Sequence, residues 1–176
     1  MLRHTLSGLV AATVILAGSP GFSATIQKSP LQFTNVTDFD SQIAQSTIDT
    51  AAIENSVYQQ INQYRVSQNL PPLARNTSID NQARIHSQNM ASGKVPFGHQ
   101  GFQQRVTAIG IPYTSAAENV AYNQGYSDPA TKAVQSWLQS SGHLANIKGN
   151  FNLTGVGVAV NSKGVVYFTQ IFLKSR

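Results

Sequence analysis

Cysteine is absent from this 176-residue chain. That excludes disulfide staples and thiolate metal centres, so the fold rests on core burial alone. Carboxylates are almost as scarce: Asp and Glu total 7 against 12 Lys and Arg, and the only glutamates are Glu54 and Glu118. The basic residues (Arg65, Arg75, Arg84, Lys94, Arg105, Lys132, Lys148) are scattered, with no cluster and no aromatic-interleaved stripe. A nucleic-acid partner is therefore not expected. The net charge of +5 fits weak attraction to an anionic cell surface and no more. Long apolar runs are missing too. The longest, Leu6 to Ala17, is too short to span a bilayer as a stable helix.

That run follows a short basic start, Met1-Leu2-Arg3-His4, and precedes a small-residue, helix-breaking stretch, Gly18 to Ala24. The order reads as a secretory signal peptide over residues 1–24, cut after Ser23 or Ala24. No cysteine follows, which excludes lipoprotein-type lipid attachment. The expectation is a secreted chain (extracellular, periplasmic or envelope-associated) with no transmembrane segment once mature. Losing Arg3 lowers its balance to +4. Residues 25–50 are rich in Gln, Ser, Thr and Asn without a sustained period, and read as a flexible N-terminal extension. Residues 51–176 are long enough for one domain with a substantial core.

Within that domain, Ile53, Val57, Ile61 and Tyr64 mark one face of a helix that Pro71-Pro72 ends. A second helix opens with Thr77 as N-cap and Asp80 in its first turn. Its inner stripe is Ile79, Ala83, His86 and Met90, and Gly93 closes it. Phe102, Val106 and Ile109 predict a short third helix before Gly110. Asp128-Pro129 caps and starts a fourth, with Trp137 and Leu138 on its buried face and Gly142 placed to stop it. The period then changes. Val156, Val158 and Val160 alternate with small residues, Asn161 to Gly164 is a hairpin turn, and Val165 to Leu173 reads as a central strand covered on both faces. Glu118 to Tyr122 is a further short strand. Helices first and a hairpin last predict an α+β fold with helices on a small antiparallel sheet.

Few residues can carry chemistry. Glu54, near the start of the first helix, has an adequate role in meeting the helix dipole. His86 lies on an apolar stripe and reads as a hydrogen-bonded core histidine. Glu118 has no helix to cap and enters an apolar strand, where a carboxylate needs a partner. His99 sits in a glycine-flanked loop. His143 follows Ser141-Gly142, placed just past a helix end, as a C-terminal cap or as part of a site. Two imidazoles with a carboxylate or water suit Zn²⁺. A histidine near neutral pH also suits general acid–base work.

Six ordered segments carry a resemblance across residues 55 to 173. They are INQYRVSQNLPPL, ARIHSQNMASG, FGHQGFQQRV, AAENVAY, WLQSSGHLANI and GVGVAV…GVVYFTQIF. Together they resemble the CAP superfamily of cysteine-rich secretory, venom-antigen and pathogenesis-related proteins, and its bacterial SCP-like branch in particular. The resemblance implies a three-layer α-β-α sandwich whose cleft carries two histidines and two glutamates. His99, Glu118 and His143 match three of the four. Ser140 stands where animal and plant members place the second glutamate. Glycosidase-type chemistry needs two carboxylates at one bond, so the resemblance implies a secreted binding module. His99 and His143 would hold a divalent metal such as Zn²⁺, beside a groove for a lipid, glycan or peptide. The alternative is metal-assisted hydrolysis of cell-envelope polymers or peptides, with Glu118 as the catalytic candidate.

Overall fold

Asp49 opens the first helix. Its side chain accepts the Ala52 N–H at 3.0 Å, and α1 runs Thr50–Ser67 with Ile53, Val57 and Ile61 buried as the spacing predicts. The last two residues of the expected N-terminal extension are thus the cap and first residue of α1. The computed structural model describes residues 48–176, so the expected signal peptide and the rest of the extension lie outside the described residues. Five helices and four strands follow in the order α1, β1 (Ala74–Arg75), α2 (Thr77–Ala91), α3 (Phe102–Ile109), β2 (Tyr113–Asn123), α4 (Pro129–Gln139), α5 (Ser141–Lys148), β3 (Leu153–Val160) and β4 (Val166–Ser175).

The sheet has the order β1-β3-β4-β2. The three long strands are antiparallel, and two-residue β1 adds a parallel rung beside Leu153 and Thr154. Strand β4 is central, as its apolar run predicts. Its alternate residues enter two separate cores. Phe168 and Phe172 join Val57 and Ile61 of α1, Trp137 of α4 and Ile147 of α5. Ile171 and Leu173 join Ile79 and Ala83 of α2 and Val106 and Ile109 of α3. This is the predicted α-β-α sandwich. Helix α2 lies unusually close to β3, because Gly155 and Gly157 leave no room for a Cβ against the backbone of Ile79–Asp80 and Ala83–Arg84.

Three local readings differ from the structure. The N-cap of α2 is Asn76, whose Oδ1 accepts the N–H groups of Ser78 and Ile79, so Thr77 is already helical. Strand β2 begins five residues before Glu118, because its early residues pair with the end of β4. Gly142 stops no helix. The break falls at Ser140, a single extended residue (φ −103°, ψ 120°), and α5 starts at once. His143 therefore sits in the first turn of α5, at its positive end, rather than at a helix C-terminus.

Candidate functional site

Edge strand β2 carries Glu118 on the face covered by α2 and α3, in register with Ile171. Asn119 points to the opposite face, where α5 packs. The site straddles this edge, with His99 arriving from one side and His143 from the other.

On the first side, the loop between α2 and α3 is held from below by His86. Its Nε2 bonds the Gly98 carbonyl at 2.8 Å, and the carbonyl can only accept. His86 is thus the hydrogen-bonded core histidine its stripe predicts. Burial lowers its pKa more than the Gly98 bond raises it, so it is kept neutral. Gly98 and Gly101 adopt positive φ (148° and 75°), which turns the chain sharply on either side of His99. The His99 side chain is 53% exposed and brings Nδ1 to within 3.0 Å of Glu118 Oε1. Since the carboxylate accepts, Nδ1 carries the proton, and the neutral form of this ring presents the Nε2 lone pair outward.

Glu118 itself is almost wholly buried, and its main partner is Arg105. Arg105 Nε donates to Oε2 at 3.0 Å, and Nη2 reaches both oxygens at 2.8 Å. Nη1 of the same guanidinium donates to the Gln100 carbonyl at 2.6 Å, so Arg105 also anchors the His99 loop. A fork of this kind is what a buried carboxylate requires.

On the second side, Ser140 Oγ lies 2.9 Å from His143 Nδ1 and caps no N–H of α5. Asn119 Nδ2 donates to the His143 carbonyl at 3.2 Å. Asn146 Nδ2 donates to Asn119 Oδ1 and to the Glu118 carbonyl, at 2.9 and 3.3 Å. These amides clamp the first turns of α5 to β2 at the level of Glu118. Burial lowers the His143 pKa, and the nearby His99 lowers it further.

The structure thus brings His99, Glu118 and His143 to one edge, with Ser140 beside His143. His99 touches Glu118 directly, whereas His143 is tied in through the β2 backbone and Asn119. Sequence reasoning missed Arg105, Asn119 and Asn146. By sequence Arg105 is one scattered base among others, although it lies four residues after Gly101 within the same segment as His99. A polar Glu118-Asn119 pair set between Ala116-Ala117 and Val120-Ala121 is a signal for the amide clamp. The reading of Glu54 is also corrected. It is 1% exposed, bonded to Arg75 and bidentate with Arg84, and accepts the Val158 N–H. It joins α1, α2 and β3 instead of merely meeting a helix dipole.

Fit to a metal can be judged from the donor atoms. Among the described residues no group of three or more His, Cys, Asp or Glu side chains is arranged to hold an ion. Glu118 is committed to Arg105 and His99. Both Nδ1 atoms are occupied, and within the described residues neither Nε2 has a hydrogen-bond partner. The donor set fits an open two-imidazole site, with Glu118 behind His99 as an orienting carboxylate. It does not fit a closed structural zinc site. A hollow of about 720 Å³ lies elsewhere, on the exposed face of α1 around Tyr58, Asn62 and Val66, and no His, Asp, Glu, Lys or Arg lines it.

An α-β-α sandwich with helices on both faces of a small, mainly antiparallel sheet is the architecture of an SCP-type domain. The model of the family described as "CAP: Cysteine-rich secretory protein family" matches residues 58–172, and the chain belongs to that family. Among solved structures, an extracellular SCP-domain protein of Bacillus anthracis is 26% identical, with a TM-score of 0.63. The alignment covers 72% of this chain and 41% of that one. A cysteine-rich secretory protein of Staphylococcus aureus is 22% identical (TM-score 0.60), covering 73% of this chain and 41% of that one. An outer surface protein of Borrelia burgdorferi shares the fold at 19% identity (TM-score 0.65), covering 73% of this chain and 97% of that one. The matched part is thus well under half of the B. anthracis and S. aureus chains. No curated protein sequence matches. Among the described residues no helix is long and apolar enough to cross a membrane.

Proposed function

We propose that this chain is a secreted binding module, and that its ligand is received at the β2 edge, where Nε2 of His99 and of His143 hold a divalent metal such as Zn²⁺. The observation that carries this reading is the double engagement of Glu118. Its carboxylate is forked by Arg105 and hydrogen-bonded to His99. A carboxylate so neutralised is poorly placed to take a proton from water, yet well placed to orient an imidazole. Two protein ligands leave coordination positions for a bound lipid, glycan or peptide. The export signal read over residues 1–24 and the extracellular or surface descriptions of the similar bacterial structures support secretion.

The test is a melting curve. Saturating Zn²⁺ should raise the Tm of the wild-type chain, by the equivalent of about 2.7 kcal/mol at a hundredfold excess over Kd. The His99→Ala/His143→Ala double variant should fold and show no rise. An equal rise in both, or none in the wild type, would sink the metal assignment. Hydrolysis of cell-wall or peptide substrates by purified protein, lost in Glu118→Gln, would instead favour the enzymatic alternative.

A further inference from the structure

Three aromatic rings lie together on the surface beside the candidate site. Tyr122 of β2 is 59% exposed and Phe97 is 49% exposed. Tyr122 pairs in register with Tyr167 of β4, their centroids 6.0 Å apart and their planes tilted by 33°. Phe97, two residues before His99, meets Tyr122 edge-on at 5.0 Å and 82°. Two rings thus form a floor and the third a wall. Scattered exposed aromatics need no explanation, but two exposed rings in contact with each other and with half-buried Tyr167 do.

The platform is continuous with the site. Tyr122 and Glu118 lie on the same face of β2, four residues and about 14 Å apart. On its other flank, Tyr167 pairs with Ala159 of β3, which borders a hollow of about 390 Å³ lined by Gln88, Asn161 and Ser162 among others. The hollow and the rings thus lie on neighbouring strands, joined through the Ala159–Tyr167 and Tyr167–Tyr122 pairs, and the platform rings and hollow-lining side chains bear no charge.

We infer that this surface binds an uncharged glycan chain, laid across Tyr122 and Tyr167 with one end at the His99 edge. The inference rests on the binding-module reading and names its ligand class. Sugar rings offer apolar C–H faces for stacking on aromatic rings, and hydroxyls for amides and serines, which is the alternation this surface presents. Other occupants fit less well. An anionic partner finds no base on the platform. A lipid tail needs an enclosed apolar groove, and this one is open and half polar. A peptide adding to the edge of β2 meets carbonyls already taken, Val120 by Trp137 and Glu118 by Asn146.

The test is calorimetric titration of the full chain, in EDTA, with a β-1,4-linked N-acetylglucosamine tetramer and with cellotetraose. Saturable binding is expected with at least one of them, weakened about tenfold or more in Tyr122→Ala and held within a few-fold in Tyr122→Phe. An unchanged Tm would show that both variants are folded. No binding at millimolar sugar, or equal affinity in Tyr122→Ala, overturns the inference. So does binding to phosphatidylglycerol vesicles in place of sugar, lost in the same variant. Because EDTA removes metal, sugar binding without a Zn²⁺ response in the melting curve sinks the metal assignment alone, and the reverse result sinks the glycan alone.

Discussion

Arg105 and Glu118 show how much of the site depends on one ion pair. The Glu118 side chain is 1% exposed and that of Arg105 is 9% exposed. Removing one member leaves an uncompensated buried charge, which costs about 3–5 kcal/mol. Arg105→Ala should lose that much in urea unfolding and also free the His99 loop, through the Gln100 carbonyl. A well-packed apolar pair, Arg105→Met with Glu118→Leu, should recover most of the stability and none of the metal response. If Arg105→Ala is as stable as wild type, water must reach Glu118 and the pair is not the anchor described here. Glu118 was recognisable from sequence as a carboxylate needing a partner, because no neighbour in its strand could serve. Which residue serves was not legible, since the partner lies 13 residues away on another element.

At the scale of elements, the sheet protects both of its edges with side chains. On β2, Trp137 and Asn146 occupy outward carbonyls. On β3, beyond the short β1, Asp80 accepts the Val156 N–H and Glu54 the Val158 N–H, at 2.8 and 3.1 Å. Exposed strand edges template aggregation, and these four contacts blunt them. Glycine placement follows the same packing. Gly157→Ala would drive a Cβ into the α2 backbone at Arg84, so a loss of about 2 kcal/mol or more is expected. Gly142 is the opposite case. It lies within helical α5, with nothing within 4 Å of an added Cβ. Gly142→Ala should therefore stabilise by about 0.5–1 kcal/mol. Chemical denaturation of the pair checks both signs, and a destabilised Gly142→Ala would restore the helix-stop reading. Ser-Ser-Gly suggests a helix stop, but Gly142 lacks the positive φ with which Gly110 ends α3. Nothing in the local residues showed that Leu144 to Ile147 would continue as a helix over a core.

For the molecule as a whole, buried His86 and half-buried His143 set a dependence on pH. His86 is held neutral chiefly by burial, with Arg105 and His99 opposing its protonation and the Gly98 carbonyl and Glu118 favouring it. Its native pKa lies below the unfolded value of about 6.5, and His143 shifts the same way. Below that value the unfolded chain binds more protons than the native one, so stability rises with pH there. The contribution is fully present above about pH 6.5 and is lost as the pH falls from there towards the native pKa values. Urea midpoints should drop between pH 7 and pH 5.5, and His86→Gln, which can still donate to Gly98, should flatten the slope. An unchanged slope in that variant would move the effect to His143.

Taken by itself, the sequence determined the order of the first four helices and the final hairpin, the burial of their apolar stripes, and the family. Those follow from local periodicity and from the order of short segments, both written along the chain. The tertiary structure alone decided how the charges are disposed. It made Glu54 a buried junction with Arg75, Arg84 and Val158, and it gave Glu118 to Arg105. It set His143 at the start of a helix rather than past the end of one, and it gathered Phe97, Tyr122 and Tyr167 into one surface. Each of these depends on residues remote in sequence meeting across a sheet, where loss of water makes an ion pair or a backbone hydrogen bond far stronger than spacing along the chain can reveal.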